Sequence, residues 1–285
     1  MRSVLITGAS KGIGQACAFH LAGRGYLVFA GVRRDADGAA LRAQVGEQLV
    51  PLLLDVTRPD QIARAADAMK DRLGNRGLDG LVNNAGIALA GPLEFLPLAE
   101  LREQLEVNVI GQVAVIQAVL PLIRLSRGRI INIGSISGRS ALPMTGAYAA
   151  SKHAIEALTD ALRVELMPWN IQVALVEPGV IATPIWHTSI AAAERIMKNL
   201  PAAAFEYYGA IMNALKQDVT KRSQQGRAPD RVALVVQHAL EARKPRTRYV
   251  VGRDARMRLL LESMPDRWRD RVIARRLARM RDREA

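Results

Sequence analysis

A glycine-rich turn between a short apolar segment and a helical segment constrains the fold of this chain most strongly. Residues 3–6 have the composition of a buried strand, and residues 15–22 have helical composition. Between them, glycines stand at positions 8, 12 and 14, in a GxxxGxG spacing. Gly8 permits a tight turn, and Gly12 and Gly14 let the backbone approach an anion at a helix N-terminus. The segment predicts a pyrophosphate-binding turn, with a turn that binds no ligand as the alternative.

Short apolar runs alternate with longer helical stretches along all 285 residues. This alternation predicts an α/β fold with a single doubly wound parallel sheet and helices on both faces. Ligands of such a sheet lie beyond the carboxyl ends of its strands. Because no Pro/Gly/Ser-rich linker divides the chain, we expect one core. The predicted strands lie near residues 3–7, 26–31, 50–54, 79–82, 128–134, 171–176 and 248–251.

Tyr148 and Lys152 lie four residues apart, and Ser135 lies thirteen residues before Tyr148. A helix over residues 145–167 puts the phenol and the ammonium on one face, about one turn apart. A neighbouring cation favours phenolate and lowers the pKa of a tyrosine from its usual value of about 10. The trio predicts a proton shuttle for an alcohol or a ketone. A Tyr-x-x-x-Lys pair also occurs by chance in many helices, so other motifs have to support it.

Seven motifs follow one another between residues 3 and 184. They are residues 7–14, Asp55, residues 83–86, Asn108, Ser135, the Tyr148/Lys152 pair and residues 178–183. In order and spacing the chain resembles the short-chain dehydrogenase/reductases. Residues 28–33, 91–94 and 163–166 are also similar to the steroid and retinol dehydrogenase-like members of that family. The resemblance implies an NAD(P)-dependent oxidoreductase acting on CH–OH groups, with a lipophilic substrate.

The resemblance also implies roles for four catalytic residues. Tyr148 would exchange a proton with the substrate oxygen, and Ser135 would hydrogen-bond the same oxygen. Lys152 would lower the pKa of Tyr148 and hold the nicotinamide ribose. Asn108 would anchor a water chain to that lysine. We expect the helices that hold Asn108 and Tyr148 to build a homodimer or homotetramer.

The cofactor-binding residues also follow from the resemblance. They are Gly8, Ser10, Lys11, Gly12, Ile13, Gly14, Arg33, Arg34, Asp55, Val56, Asn83, Ala85, Gly86, Tyr148, Lys152, Pro178, Gly179, Ile181 and Thr183. Val32 stands where NAD-using members carry an aspartate, and Arg33 and Arg34 follow it. Because arginine pairs with a 2′-phosphate, we predict NADP over NAD. The alternative is that both arginines are solvated loop charges.

The part of the chain after Thr183 resembles the family less. Residues 185–226 have the apolar pattern of two amphipathic helices, which in the family close over the substrate, although the same residues could simply be core. We expect a catalytic domain over residues 1–252 and a basic amphipathic helical tail over 253–285, broken near Pro265. The tail has three interpretations: packing on its own domain or a sister subunit, peripheral contact with an anionic membrane, or partial disorder.

The formal net charge is +13, and four histidines and one cysteine, Cys17, show no metal-ligand spacing. We therefore predict no metal, no disulfide and no specific nucleic-acid module. The chain starts directly with its first strand and shows no apolar run near the length of a membrane span, so we expect a cytoplasmic protein, or one peripheral to a membrane. A 3-ketoacyl-thioester reductase, a cofactor-binding protein without activity, and a membrane- or polyanion-associated interaction protein remain alternatives.

Overall fold

The computed structural model describes residues 1–224 and 226–281. Seven strands form one parallel sheet in the order β3-β2-β1-β4-β5-β6-β7. The strands are β1 (Ser3–Ile6), β2 (Leu27–Val32), β3 (Leu49–Leu53), β4 (Gly80–Asn83), β5 (Arg129–Ile133), β6 (Gln172–Pro178) and β7 (Arg248–Val251). All seven predicted strands are confirmed, and no end differs by more than two residues.

Helices connect the strands and lie on both faces of the sheet. They are α1 (Gly12–Gly23), α2 (Asp35–Val45), α3 (Pro59–Leu73), α4 (Leu98–Leu105), α5 (Gly111–Ser126), α6 (Gly146–Glu165), α7 (Ile185–Met197), α8 (Ala202–Gln224), α9 (Asp230–Glu241), α10 (Arg253–Glu262) and α11 (Asp266–Arg281). The predicted helix over residues 145–167 is α6. The predicted doubly wound fold is confirmed.

The sheet divides the core into two layers because successive strand residues point to opposite faces. Val4 and Ile6 of β1 pack with α1 and α9 on one face. Leu5, between them, packs with α3 and α5 on the other face. This two-sided burial explains why the strands are continuous apolar runs and why their positions are visible in the sequence.

The strand order reverses between β1 and β4. Ile6 pairs with Ala30 of β2 on one side and with Val82 of β4 on the other. Successive connections therefore leave β1 and β4 in opposite directions, which opens a crevice at the carboxyl edge of the sheet. The loops that follow β1, β2, β3, β4, β5 and β6 all begin at this edge, and they carry most of the predicted site residues.

One continuous helix, Leu98–Ser126, is long and apolar enough to cross a membrane by length and composition, with a mean hydropathy of 1.7 over its best window. The prediction that no apolar run approaches this length is therefore wrong. Val115, Val119 and Ile123 of this helix pack in the core against α3 and the sheet. A core helix meets the same criteria, so the finding by itself identifies no membrane span.

The predicted lid and tail are both helical where they are described. The predicted lid segment forms α7 and α8, and Ile196 of α7 packs on Leu96 and Ala147 beside the carboxyl edge. The tail consists of α10 and α11, which meet near the predicted break at Pro265. Residue 225 of the lid and residues 282–285 of the tail lie outside the described residues. The boundary at Gly252 remains a prediction.

Candidate active site

The turn after β1 is tight, and its backbone leaves no room for a side chain on Gly14. Gly8 has a φ of +64°, in the left-handed region that favours glycine. A Cβ on Gly14 would lie 2.3 Å from the Gly8 carbonyl oxygen and 2.6 Å from the Asn84 amide nitrogen. That amide donates to the carbonyls of Thr7 and Gly8, at 2.9 and 3.2 Å. The first helical turn of α1 therefore lies directly against the loop.

The N-terminus of α1 is open toward the crevice. Lys11 is its N-cap residue and makes no side-chain capping bond, and the first turn contains no acidic residue. The first N–H groups of a helix have no partner within the helix, so they favour an anion such as a pyrophosphate. Ser10 is half-buried, Lys11 is exposed, and Ile13 packs against the core below the loop.

Two arginines follow β2, but only one of them is paired. Val32 is buried at the end of the strand, and Arg33 and Arg34 are exposed. Arg34 forms a two-pronged ion pair with Asp37, at 3.0 and 2.7 Å. The hydrogen bonds from Arg34 hold the pKa of Asp37 below its usual value, and the charges of Lys11 and Arg33 act in the same direction. Arg33 has no side-chain hydrogen bond or ion pair among the residues described.

The loop after β3 holds Asp55 in a local turn. One oxygen of its carboxylate accepts from the Thr57 backbone N–H at 3.0 Å and from the Thr57 hydroxyl at 2.8 Å. The Asp55 N–H donates to the Gln61 side chain at 2.8 Å, which fixes the loop to α3. Val56 is buried beneath it, against Gly111. Asp55 is half-buried at the carboxyl edge, where the sequence predicts it.

The loop after β4 differs in part from the prediction. The side chain of Asn83, predicted to lie along the cofactor, is fully buried and donates to the Gln112 carbonyl at 3.0 Å. It therefore ties β4 to α5 and does not face the crevice. Ala85 donates its N–H to the Thr7 hydroxyl at 2.9 Å, which joins this loop to the glycine turn. Gly86 lies beside the Asn108 amide, where a Cβ would be 3.2 Å from its oxygen.

Asn108 lies in a π-helical turn, Glu106–Ile110, between α4 and α5. Its fully buried amide accepts from the Ile87 N–H at 2.8 Å and donates to the Ile87 carbonyl at 2.9 Å. It also donates to the Ser151 hydroxyl at 3.0 Å, and that hydroxyl donates to the Tyr148 carbonyl at 2.7 Å. Asn108 therefore links the loop after β4 to the helix that carries Tyr148 and Lys152.

Ser135, Tyr148 and Lys152 lie together beyond β5. Lys152 is buried, and its ammonium donates to the Ile133 carbonyl at the end of β5, at 2.8 Å. The same ammonium lies 5.9 Å from the centre of the Tyr148 ring. Ser135 is buried at the start of a short turn, and its hydroxyl accepts from the Ser137 N–H at 3.1 Å. The predicted trio thus shares one place in the fold.

The direction of the tyrosine pKa is a correction to the prediction. Burial raises the pKa of Tyr148 above its usual value of 10.0, and a hydrogen bond to Ser135 and the charge of Arg258 only partly oppose it. Burial also lowers the pKa of Lys152 to about 8. Removal of each group from water disfavours its charged form, and for Tyr148 this cost outweighs the opposing effects of Ser135 and Arg258. In the protein alone Tyr148 is a phenol near neutrality.

The loop after β6 closes the far side of the crevice. Pro178 is the last residue of β6, and Ile181 is buried and accepts from the Trp186 indole N–H at 2.6 Å. Thr183 lies against Gly12 of the glycine turn, where a Cβ would be 3.2 Å away. This contact brings the loops after β1 and β6 together across the crevice.

Two residues that hold the glycine turn were not predicted as site residues. The Thr7 hydroxyl accepts from the backbone N–H groups of Asn84 and Ala85, both at 2.9 Å, while Asn84 donates back to the turn. Both residues belong to recognised motifs, but sequence spacing does not reveal that one motif holds the other in place.

The residues of the crevice fit a phosphorylated dinucleotide. The N-terminus of α1 has no side-chain cap, a Cβ on Gly14 has no space, and Arg33 has no partner as far as the described residues go.

Comparison with known proteins decides the family. The short chain dehydrogenase family model matches residues 2–194. The chain belongs to the short-chain dehydrogenase/reductase family. It is an NAD(P)-dependent oxidoreductase acting on CH–OH groups, as its sequence predicts.

Relatives and a solved structure agree with this assignment. The chain is 36% identical to retinol dehydrogenase 5 of Mus musculus, over 95% of this chain and 87% of that protein. It is 34% identical to the NADPH-dependent 3-dehydrocapnine reductase of Ornithobacterium rhinotracheale, over 98% and 99%. A short-chain dehydrogenase from Streptomyces avermitilis superposes with a TM-score of 0.75 at 30% identity, over 91% of this chain and 90% of that chain.

Proposed function

We propose that this short-chain dehydrogenase/reductase is an NADP-preferring enzyme that interconverts an alcohol with a ketone or an aldehyde on a lipophilic substrate. The observation that carries the proposal is the meeting of Ser135, Tyr148 and Lys152 beside a crevice whose opposite end presents Arg33. The bound dinucleotide would supply the hydride. The residues of the chain would orient the substrate and move the proton.

Each catalytic residue has a defined task. Tyr148 gives its phenol proton to the oxygen of a carbonyl substrate, and Ser135 hydrogen-bonds that oxygen and stabilises its developing charge. Lys152 is fixed by its hydrogen bond to the Ile133 carbonyl and would hold the nicotinamide ribose of the bound dinucleotide. Asn108 holds α6 in position through Ser151. A preference for NADPH would favour the reductive direction.

The preference for NADP rests on charge after β2. Val32 leaves no acid to bond a ribose 2′-hydroxyl, and Arg33 and Lys11 offer a 2′-phosphate two cations. Arg34 is already engaged by Asp37, so it contributes less than predicted. The name of the Ornithobacterium relative, which specifies NADPH, supports the same preference.

The lipophilic substrate rests on the lid. Trp186 is tied to Ile181 at the mouth of the crevice, and Tyr208 of α8 packs edge-on against Phe95, with ring centres 6.0 Å apart. Apolar side chains of α7 and α8 would then cover the approach to Tyr148, and they suit a molecule with a large apolar body. The retinol named for the mouse relative is an alcohol of this kind.

We also propose two kinds of contact outside the crevice. The helices α5 and α6 expose apolar side chains, including Leu125 and Val164, which suits a homodimer or homotetramer built on these helices. The tail exposes Leu260 and Trp268 among arginines, which suits peripheral contact with an anionic membrane. The enzyme would then be cytoplasmic, at or near a membrane surface.

The test is turnover of a panel of carbonyl compounds, followed by NADPH absorbance, in wild type and Tyr148→Phe. The panel includes retinoid, steroid and long-chain ketones and aldehydes, together with a 3-ketoacyl thioester. We expect reduction of at least one lipophilic carbonyl, and a loss of about 10²- to 10⁴-fold in kcat/KM in Tyr148→Phe with NADPH binding retained. Turnover of the variant near the wild-type rate would refute the role of Tyr148, and activity with the thioester alone would refute the substrate class.

A further inference from the structure

The first helix of the tail lies across the carboxyl edge of the sheet. Gly252, directly after β7, has a φ of +123°, which only glycine adopts readily, and it turns the chain into α10. The helix packs on β7 and on the short turn that begins at Ser135. It therefore lies between the loop after β5 and the loop after β6, which carry residues of the candidate active site.

Asp254, in the first turn of α10, holds the loop after β6. Its carboxylate accepts from the Val180 N–H at 2.7 Å. The same carboxylate lies so close to Gly179 that a Cβ there would be 2.2 Å from one of its oxygens. Gly179 also donates its N–H to the Val251 carbonyl at 2.8 Å. Position 179 therefore requires glycine, because the carboxylate of Asp254 in the tail leaves no room for a side chain.

Arg258, four residues later, holds the loop after β5. Residues four apart lie on one face of a helix, so Asp254 and Arg258 project to the same side. The guanidinium donates to the Ser140 hydroxyl at 3.2 Å, to the Ser137 hydroxyl at 3.4 Å and to the Ser140 carbonyl. Ser137 in turn donates its backbone N–H to the Ser135 hydroxyl at 3.1 Å. A single residue, Ser137, therefore links Arg258 to Ser135 through hydrogen bonds.

We propose that Arg258 is a positioning residue for Ser135 and Tyr148, and that Asp254 fixes Arg258 in place by joining α10 to the loop after β6. This inference rests on the proposed role of Tyr148. On this view α10 completes the active site, although it follows the last strand of the sheet.

Electrostatics gives the proposal a measurable consequence. Among the described residues, the Lys152 ammonium of the same helix lies 5.9 Å from the centre of the Tyr148 ring, and the charge of Arg258 from α10 also acts on the phenol. The positive charge of Arg258 lowers the pKa of Tyr148 and opposes the effect of burial. Its removal should raise that pKa further, because less positive charge then stabilises the phenolate. Since carbonyl reduction needs the protonated phenol, the alkaline limb of the rate profile should move to higher pH.

The experiment measures kcat and kcat/KM against pH for carbonyl reduction by the full-length enzyme, using the best carbonyl compound of the panel. The variants are Arg258→Ala, Arg258→Lys and the matched control Arg256→Ala, which removes an exposed arginine from the same helix. We expect Arg258→Ala to move the limb upward by about half a pH unit or more and to lower kcat about 3- to 30-fold. Arg258→Lys should restore the limb and recover kcat only in part, because lysine keeps the charge and loses the planar fork.

Two outcomes oppose the proposal. If the limb stays at the wild-type pH in Arg258→Ala, or moves equally in Arg256→Ala, the proposal is overturned. If Arg258→Ala does not fold, Arg258→Lys and Arg258→Gln are compared, and only the glutamine variant should move the limb. Tyr148→Phe is measured in parallel: a limb retained in that variant refutes Tyr148 as the titrating group and thus the proposed function, whereas loss of the limb there leaves the Arg258 result as the independent test.

Discussion

Arg33 and Arg34 follow β2 side by side, yet the structure gives them different surroundings. Arg34 is held by the carboxylate of Asp37, whereas Arg33 has no such partner among the described residues. A cation already paired with a carboxylate gains less from a phosphate, because the new bond replaces an old one. Discrimination between the two cofactors should therefore depend more on Arg33 than on its neighbour.

We predict that Arg33→Ala raises KM for NADPH about 10-fold or more and leaves KM for NADH within about 2-fold, because only NADPH carries the 2′-phosphate. Arg34→Ala should have a smaller effect. The control is Arg24→Ala, which removes an exposed arginine at the C-terminal end of α1, the end away from the glycine turn. Steady-state kinetics with both cofactors checks this, and unchanged discrimination in Arg33→Ala would show that the arginine is a solvated loop charge.

Single residues also show where sequence reasoning succeeds and fails. The meeting of Tyr148, Lys152 and Ser135 was predictable because helix spacing and strand ends are local features. The sign of the tyrosine pKa was not, because it depends on burial, which comes from the packing of distant segments. The same holds for Asn83, whose side chain turned inward to bond Gln112. Arg258 contacts Ser140 across 118 residues, a distance that no motif spans.

At the scale of elements, β6, β7 and α6 enclose a cluster of charges next to the active site. Glu177 of β6 is fully buried. Burial and, to a smaller extent, the neighbouring Glu156 raise its pKa to about 7, although Arg139 and Arg248 oppose the rise. Arg248 of β7 also pairs with Glu156 at 3.0 Å and Asp160 at 2.6 Å. At neutral pH a part of the Glu177 population therefore keeps its proton.

We predict that Glu177→Gln removes a pH dependence of stability. The folded pKa of about 7 exceeds the ordinary value of 4.5, so the stability linked to protonated Glu177 is complete below about pH 4.5 and is lost as the pH rises through about 7. Glutamine replaces the protonated form permanently. The variant should match wild type near pH 5 and be more stable by on the order of 1–3 kcal/mol near pH 8.

Urea denaturation at the two pH values measures this difference, with Glu103→Gln as the control for an exposed glutamate of α4. If the difference in unfolding free energy between Glu177→Gln and wild type is the same at both pH values, Glu177 is ionised at both and is neutralised by Arg248.

Whole elements were easier to predict than their irregular parts. The seven strands lie where apolar runs predicted them, since strands buried on both faces leave a continuous signal. The π-helical turn at Asn108 left no such signal, because the buried amide bonds that accompany it, to Ile87 and Ser151, come from distant segments. The helix through it was also long and apolar enough to contradict the expectation of no span-length segment. The apolar pattern predicts where a helix or strand lies, but tertiary packing decides which residues its side chains contact.

At the scale of the whole molecule, the tail joins the active site to the outer surface. The inner side of α10 holds Arg258 against Ser137 and Ser140, and α11 packs against α8. Of the three interpretations of the tail, packing on its own domain is the one that the described part displays. Its outer side still exposes Leu260 and Trp268, by 73% and 63%, among the exposed arginines Arg267 and Arg271. This combination suits an anionic bilayer surface, where tryptophan lies at the headgroup level and arginine meets phosphate.

Liposome flotation of the full-length protein tests this surface. With phosphatidylcholine vesicles that contain about a third phosphatidylserine, we expect a bound fraction that falls sharply in salt and is absent on pure phosphatidylcholine, because each arginine near the surface contributes about 1 kcal/mol. Leu260→Ser with Trp268→Ser should lower the bound fraction several-fold and leave turnover of a soluble substrate unchanged, since both side chains are already in water. Leu234→Ser, an equally polar change on the exposed side of α9, should float like wild type. A wild-type protein that stays at the bottom of the gradient leaves the tail with its structural role alone.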